Sequence, residues 1–281
     1  SICSCLCFID ENQSATTITN ALLSELYYTC LHKYQIQEYK DKVTSTLSEY
    51  FKDQVENIKA YLLFDPLIYP SFETTPEKVK IEIKPHTIQS LQEELNYYLT
   101  LHNTNSIEKI SIKFTSITVR EWSLIYQTLS RPGHNAFLYG KESSGRYIFS
   151  RFVSHQIESE FVCFYNPTPE ELLCEKSRLQ MISNSLKDSI SKAVYEQKKS
   201  VIYINATNDN EKEVRIIVEF ATKLIFQPFF NEEELDELYE KVVSSKPVTS
   251  IVRKQAHYKV INILRHHLHF LINIGSDLNY K

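Results

Sequence analysis

Apolar residues repeat at two different spacings along the chain, and the change between them divides it into two parts. In residues 15–56 apolar positions such as Leu22, Leu26 and Leu47 recur in helical steps, which predicts amphipathic helices and no strand. In residues 135–273 short apolar runs alternate with helical stretches. This pattern predicts a small all-helical unit followed by an α/β domain with a doubly wound parallel sheet.

The segment between these parts has the composition of a connector, followed by helices. Prolines recur through residues 57–87 and predict irregular structure there. Two amphipathic helices are then expected at residues 87–103 and 115–129, the second ending at Pro132 and Gly133.

Four apolar runs in the second part are short enough to be strands: residues 135–139, 161–165, 201–205 and 268–273. We expect the first, third and fourth to be neighbours in one parallel sheet. The helix predicted at 147–156 is expected to turn Ile148, Phe152 and His155 inward. Asn231 and Glu234 have the spacing of a capping box, which predicts that another helix begins there.

Composition and charge narrow the possible partners. The net charge of −4 gives no electrostatic reason to expect binding to nucleic acid or to an anionic membrane. No apolar stretch is long enough to span a bilayer. The first residues lack the basic region of a signal peptide, and we expect the sequence to be a segment of a longer chain.

Two clusters of possible metal ligands do not have the spacing of a metal site. Cys3, Cys5 and Cys7 lack the paired spacing and second ligand pair of structural zinc sites, and reduced, buried thiols are favoured. His266, His267 and His269 lie at a helix-to-strand junction, where exposed or helix-capping roles are favoured. No metal ligand is predicted.

The distribution of glycine gives the main functional clue. The chain has four glycines, and Gly133, Gly140 and Gly145 fall within thirteen positions. The frame Gly140-x4-Gly145-Arg146-Tyr147 is that of a phosphate loop whose last two chemical positions differ. The candidate nucleotide-binding residues are therefore Gly140, Ser143, Ser144, Gly145, Arg146 and Tyr147.

A working phosphate loop needs a lysine for the terminal phosphates and a short hydroxyl for magnesium. Arg146 keeps the positive charge in a different shape, and Tyr147 removes the short hydroxyl. The second metal-binding element should be an acid at the tip of a buried strand. The strand at 201–204 is followed by Asn205 and Ala206, and Asp209 comes three residues past the tip. These residues predict a degenerate site with no catalytic residue.

The order of these segments resembles the dynein heavy chain, from the end of its third AAA+ module through most of the fourth. Residues 22–51 are similar to the helical lid of the third module, and residues 129–140 to the approach to the fourth module's loop. The pair Gly145-Arg146 resembles the Ser-Gly-Arg of axonemal-type chains. Residues 199–207 resemble the Walker B strand with Ala206 in place of Asp, and residues 267–270 resemble the strand that leads to the sensor region.

The resemblance implies three parts: residues 1–58 as a helical lid, 59–106 as connector and helix, and 107–281 as a truncated AAA+ large subdomain of P-loop NTPase type. It implies a structural or regulatory ring segment of a microtubule motor that does not itself hydrolyse ATP. It further implies no cofactor or weakly bound ADP or ATP, and neighbouring AAA+ modules of the same heavy chain as partners. Microtubules would be bound only through a stalk outside this chain, in the cytoplasm, on the cytoskeleton or in a ciliary axoneme.

One alternative stays open, an active variant P-loop ATPase. In that case Arg146 would bind phosphate and a neighbouring module would complete the site.

Overall fold

The structure, a computed structural model, describes residues 37–50, 67–75, 78–86, 88–140, 144–164, 175–207, 210–226, 229–243 and 250–275. The chain divides into two compact units, residues 1–123 and 124–281. The cysteine cluster at positions 3–7 and most of the predicted helical lid lie outside the described residues. Within residues 1–58, the described part is one helix, α1 (Gln37–Tyr50).

The first unit contains an antiparallel hairpin that the sequence analysis did not predict. Strands β1 (Leu67–Thr75) and β2 (Lys78–His86) pair along their full length, within the stretch interpreted as connector. The prolines caused the error, because Pro70 and Pro85 are residues of these two strands. Each strand of a two-stranded ribbon has an open edge, where a residue without a backbone N–H is tolerated.

Helix α2 (Ile88–Asn105) was predicted and organises the rest of the first unit. Its Leu91 and Leu95 are buried. The amide of Asn103 donates to the carbonyl of Ile110 at 2.8 Å and accepts from the N–H of Ile110 at 2.7 Å. The segment after α2 is thereby fixed to the helix. Helix α3 (Ser116–Leu129), also predicted, begins in the first unit and ends in the second.

The second unit contains a four-stranded parallel sheet. Its strands are β3 (Ala136–Gly140), β4 (Glu160–Phe164), β5 (Ser200–Ala206) and β6 (Leu268–Gly275), in the spatial order β3-β6-β5-β4. The helices are α4 (Arg146–Gln156), α5 (Glu175–Glu196), α6 (Glu211–Lys223), α7 (Glu232–Val243) and α8 (Ser250–His267). The predicted parallel sheet is confirmed. The strands expected to be neighbours in it are β3, β5 and β6, and β6 pairs with both of the others.

Helices cover both faces of this sheet. Ile202 and Ile204 belong to a buried cluster with α5, α6, α7 and α8. The residue between them, Tyr203, points to the other face and contacts Tyr147 of α4. Since β5 is buried on both faces, its nearly continuous apolar run is explained.

The inward face of α4 differs from the prediction by one step around the helix. Phe152 is buried as predicted, but Ile148 and His155 are exposed, and Phe149 and Val153 are buried instead. Both sets fit a helical period, so spacing alone could not separate them. Phe149 lies close to Gly145, where a Cβ would begin 3.4 Å from its ring.

The predicted capping box of α7 is confirmed. The N–H of Glu234 donates to Asn231 Oδ1 at 2.8 Å, and the N–H of Asn231 donates to Glu234 Oε2 at 2.9 Å. None of the helices described here is both long and apolar enough to cross a bilayer.

Candidate functional site

The phosphate-loop frame lies between the carboxyl end of β3 and the first turn of α4. Gly140 ends β3, Ser144 and Gly145 precede the helix, and Ser143 lies outside the described residues. Gly145 has a φ of 80°, a left-handed conformation that favours glycine. No side chain within the described residues caps α4. Its first N–H groups therefore have the orientation that favours an anion at a helix N-terminus.

Arg146 places its guanidinium back against the end of β3. A Cβ at Gly140 would overlap Arg146 Nη1, so a side chain there would displace the guanidinium from this position. Arg146 Nε and Nη1 are buried and have no hydrogen-bond partner within the part of the chain that the structure describes. Unsatisfied buried donors on a charged group are costly, and an anion beside the loop would satisfy them.

Tyr147, at the position of the magnesium-binding hydroxyl, packs away from the loop. Its ring meets Phe161 of β4 and Tyr203 of β5 edge to face, with ring centroids 5.5 Å apart in both pairs. Phe161 and Tyr203 are themselves 5.7 Å apart. The three rings form one cluster on the face of the sheet that α4 covers. The aromatic side chain at 147 therefore contributes to packing.

The strand tips beside the loop present amides. Asn205 of β5 lies in register with Asn273 of β6, and Asn273 Nδ2 donates to Asn205 Oδ1 at 2.6 Å. Asn210 Nδ2 donates to the carbonyl of Asn205 at 2.7 Å, and the N–H of Thr207 donates to Asn210 Oδ1 at 2.8 Å. Asp209 lies outside the described residues. The sequence predicted the missing acid but not the pairing with Asn273, which depends on strand register.

Glu213 is the first buried acidic residue that follows the tip of β5 in the described sequence. It was not among the site residues predicted from the sequence. It lies in the first turn of α6 and is 2% exposed. Arg178 Nε donates to its carboxylate at 2.9 Å. Glu213 also shares a helical stripe with Ile217 and Phe220, which join the cluster on the face away from α4. Glu213 is thus engaged in a buried ion pair on the other side of the sheet.

These residues fit a phosphate group better than a magnesium ion. Arg146, Gly140 and the first turn of α4 supply a positive charge, close approach and N–H donors. Magnesium needs oxygen ligands that include carboxylates or short hydroxyls. Tyr147 and Asn205 supply neither in the arrangement observed.

Neighbouring ionisable groups are held neutral. Burial raises the pKa of the Cys163 thiol to about 11. Burial also raises the pKa of Tyr203 to about 12, with Cys163 adding to the effect and Arg146 opposing it. A thiol needs a lowered pKa to act as a nucleophile near neutral pH. The surroundings of Cys163 are therefore those of a structural residue and not of a nucleophile.

The three histidines at the α8–β6 junction have different environments. His266 is exposed, and His267 Nδ1 donates to the carbonyl of Ile263 at 2.8 Å, in keeping with the predicted exposed or capping roles. For His269 that prediction was wrong, because it is 2% exposed and donates from Nδ1 to the carbonyl of His134 at 2.9 Å. No group of three or more possible metal ligands occurs in the described ranges.

No protein-family model matches the sequence, and no curated protein matches it significantly. The parallel sheet and its flanking helices define an α/β fold, and the position of the glycine-containing segment between β3 and α4 is consistent with a P-loop-like fold.

Proposed function

We propose that the chain is a structural or regulatory AAA+ ring segment of a dynein-type microtubule motor, with a degenerate nucleotide site. The order of the sequence segments supports the dynein assignment, from the lid of a third module through most of a fourth. The parallel sheet supports the P-loop origin, because a glycine loop follows the edge strand β3 directly and leads into α4.

One observation supports the loss of ATP hydrolysis. Neither of the two positions that would bind magnesium in a working phosphate-loop site, 147 and 205, carries a suitable ligand. Tyr147 is packed against Phe161 and Tyr203, and Asn205 is paired with Asn273. Phosphoryl transfer depends on metal ions that bridge the phosphates and neutralise the developing charge. A neutral amide pair offers no substitute for a carboxylate at this point.

In this proposal the segment serves the motor through its contacts with neighbouring AAA+ modules of the same heavy chain. Microtubule binding belongs to a stalk outside this chain, and the location would be the cytoskeleton or a ciliary axoneme. ATP hydrolysis elsewhere in the motor would supply the energy. The segment would transmit the resulting changes between its neighbours.

A second candidate function, magnesium-independent nucleotide binding, is favoured by Arg146. Its buried donors have no partner among the residues described, and Gly140 leaves room for their approach. A bound ADP or ATP would satisfy these donors and stabilise the folded state by mass action. The nucleotide would then have a structural role.

Isothermal titration of the chain with ATP and with ADP tests both proposals. Each titration is run with magnesium and again with a chelator, and phosphate release is measured in parallel. We expect no phosphate release and no effect of magnesium on any binding heat. Binding at Arg146 should disappear in Arg146→Ala and persist in Lys254→Ala, an exposed position on α8.

Micromolar binding that requires magnesium, or steady phosphate release, would overturn the degenerate-site proposal. Binding that survives Arg146→Ala would instead contradict the second candidate function. Circular dichroism of both variants shows whether each remains folded.

A further inference from the structure

The outward face of helix α8 is basic, although the chain as a whole has a net charge of −4. The helix has 18 residues, among which Lys and Arg occur four times and Asp and Glu do not occur. Arg253 forms ion pairs with acids of α7. The other three cations, Lys254, Lys259 and Arg265, are exposed and form no ion pair within the described residues. Their charges are therefore available to a partner.

Two large apolar side chains lie on the same face. Ile251 and Tyr258 are each 71% exposed. With the exposed Gln255 and Asn262 they form a stripe whose members follow one another at steps of four, three and four residues. This is the spacing of the contact positions in a coiled coil. The opposite side of α8 packs into the core through Ala256, Val260 and Leu264.

Cations lie on both sides of this stripe. Lys254 directly precedes Gln255, and Lys259 directly follows Tyr258. In a coiled coil these are the positions whose side chains form ion pairs with the second helix. Arg265 occupies the next step of the stripe, close to the end of α8. A helix packed on the stripe would therefore bring its own flanking side chains next to these cations.

This arrangement selects among the possible occupants. A second α8 is disfavoured, because the helix has no acid and every register would place cations against cations. A lipid bilayer would take the amides of Gln255 and Asn262 out of water, whereas coiled coils accommodate polar residues at contact positions. The phosphates of a nucleic acid would pair with the lysines but leave Ile251 and Tyr258 in water. A helix with apolar contact positions and acidic flanks matches both the charge and the stripe.

We propose that the outward face of α8 binds an acidic amphipathic helix of a partner protein. Apolar residues of that helix would cover Ile251 and Tyr258. Its Asp or Glu side chains would pair with Lys254, Lys259 and Arg265. Burial of the two apolar side chains would supply affinity, and the ion pairs would supply specificity and fast association. The proposal is independent of the nucleotide site, since it uses no residue of the phosphate-loop frame.

The test uses the full chain and a fluorescein-labelled helical peptide, three repeats of Glu-Leu-Ala-Ala-Leu-Glu-Lys. Fluorescence anisotropy should show saturable binding that the double variant Lys254→Glu, Lys259→Glu weakens by roughly tenfold or more, because attraction becomes repulsion. The matched control is the double variant Lys109→Glu, Lys113→Glu. It makes the same change of net charge at exposed positions of the first unit and should leave the affinity unchanged.

A second pair of variants tests the apolar stripe. Tyr258→Ala should weaken peptide binding by roughly fivefold or more, because it removes the aromatic contact. Its matched control is Tyr139→Ala, since Tyr139 of β3 is 73% exposed and lies outside α8. Circular dichroism confirms that all variants are folded.

Four results would overturn the proposal. The first is absence of saturable binding, and the second is equal affinity for a peptide with Gln in place of Glu. The third is equal weakening by a variant and its matched control. The fourth is that duplex DNA, anionic lipid vesicles or a second copy of the chain binds more tightly than the peptide, in a way that the double variant Lys254→Glu, Lys259→Glu abolishes.

Discussion

Burial determines the protonation state of the ionisable side chains in the sheet. Cys163 and Tyr203 both have a raised pKa, so the thiol and the phenol stay neutral at physiological pH. The pKa of His269 is shifted in the other direction, to about 4, chiefly by burial, while its hydrogen bond to His134 opposes the shift. All three shifts favour the uncharged form, as expected for groups removed from water.

The lowered pKa of His269 predicts a loss of stability in acid. The unfolded chain takes up this proton as pH falls below about 6.5, whereas the folded chain does so only near pH 4. The contribution of His269 to the unfolding free energy is therefore fully present above pH 6.5. It falls by about 3 kcal/mol as the pH drops through this window, at 1.4 kcal/mol per unit of pKa shift. His269→Asn, which keeps a donor for the His134 carbonyl, should remove this part of the slope. Urea unfolding at a series of pH values measures it.

Gln255, an exposed residue of α8 whose side chain does not ionise, provides the control for this prediction. Gln255→Asn should leave the dependence of the unfolding free energy on pH as it is in the unaltered chain. A slope between pH 4 and 6.5 that is the same in His269→Asn as in the unaltered chain would show that His269 does not cause it.

In this glycine-poor sequence, residues other than glycine adopt unfavourable positive φ angles after three of the helices. Glu158, Gln197 and Leu224 have positive φ angles of 54°, 54° and 51°, and they follow α4, α5 and α6. This conformation commonly ends helices and is usually occupied by glycine, because a Cβ is disfavoured in it. The few glycines of the chain are concentrated elsewhere, and three of them, Gly133, Gly140 and Gly145, also have positive φ angles.

Gln197→Gly should therefore stabilise the chain by about 0.5–1 kcal/mol, the steric relief at positive φ less the added freedom of the unfolded state. Gln197 is exposed, so little packing is lost. The change would appear as a higher midpoint of urea unfolding with an unchanged slope. Lys198→Gly, one residue further on, is the control and should not stabilise. A midpoint that is unchanged or lower in Gln197→Gly would contradict the argument.

Elements defined by local chemistry were predictable, and those defined by distant partners were not. The apolar run of β5 and the Asn231–Glu234 box specify their structures within a few residues. The β1–β2 hairpin was missed because its prolines are tolerated only where an open edge exists. At the candidate site the chemistry of Arg146 and Tyr147 was predictable from their residue types. The pairing of Asn205 with Asn273 depends on register between strands 68 residues apart in sequence.

At the scale of the whole molecule, the second unit has a hydrophobic core of its own. Phe220 lies at its centre, fully buried, with the rings of Phe226, Phe229 and Phe270 at centroid distances of 6.0, 5.4 and 6.0 Å. The residues of this cluster come from the sheet and from α5, α6, α7 and α8. All of the described residues of this cluster belong to residues 124–281.

A fragment of residues 116–281, which keeps α3 whole, should therefore fold by itself with a cooperative urea transition. Phe220→Ala should cost roughly 3–5 kcal/mol, the usual range for a buried Phe, and the cost should be equal in the fragment and in the full chain. Phe137→Ala is the matched control, because this ring is 60% exposed and its loss should cost under about 1 kcal/mol. A fragment without a cooperative transition, or a Phe220→Ala cost that differs between fragment and full chain, would mean that this core depends on residues of the first unit.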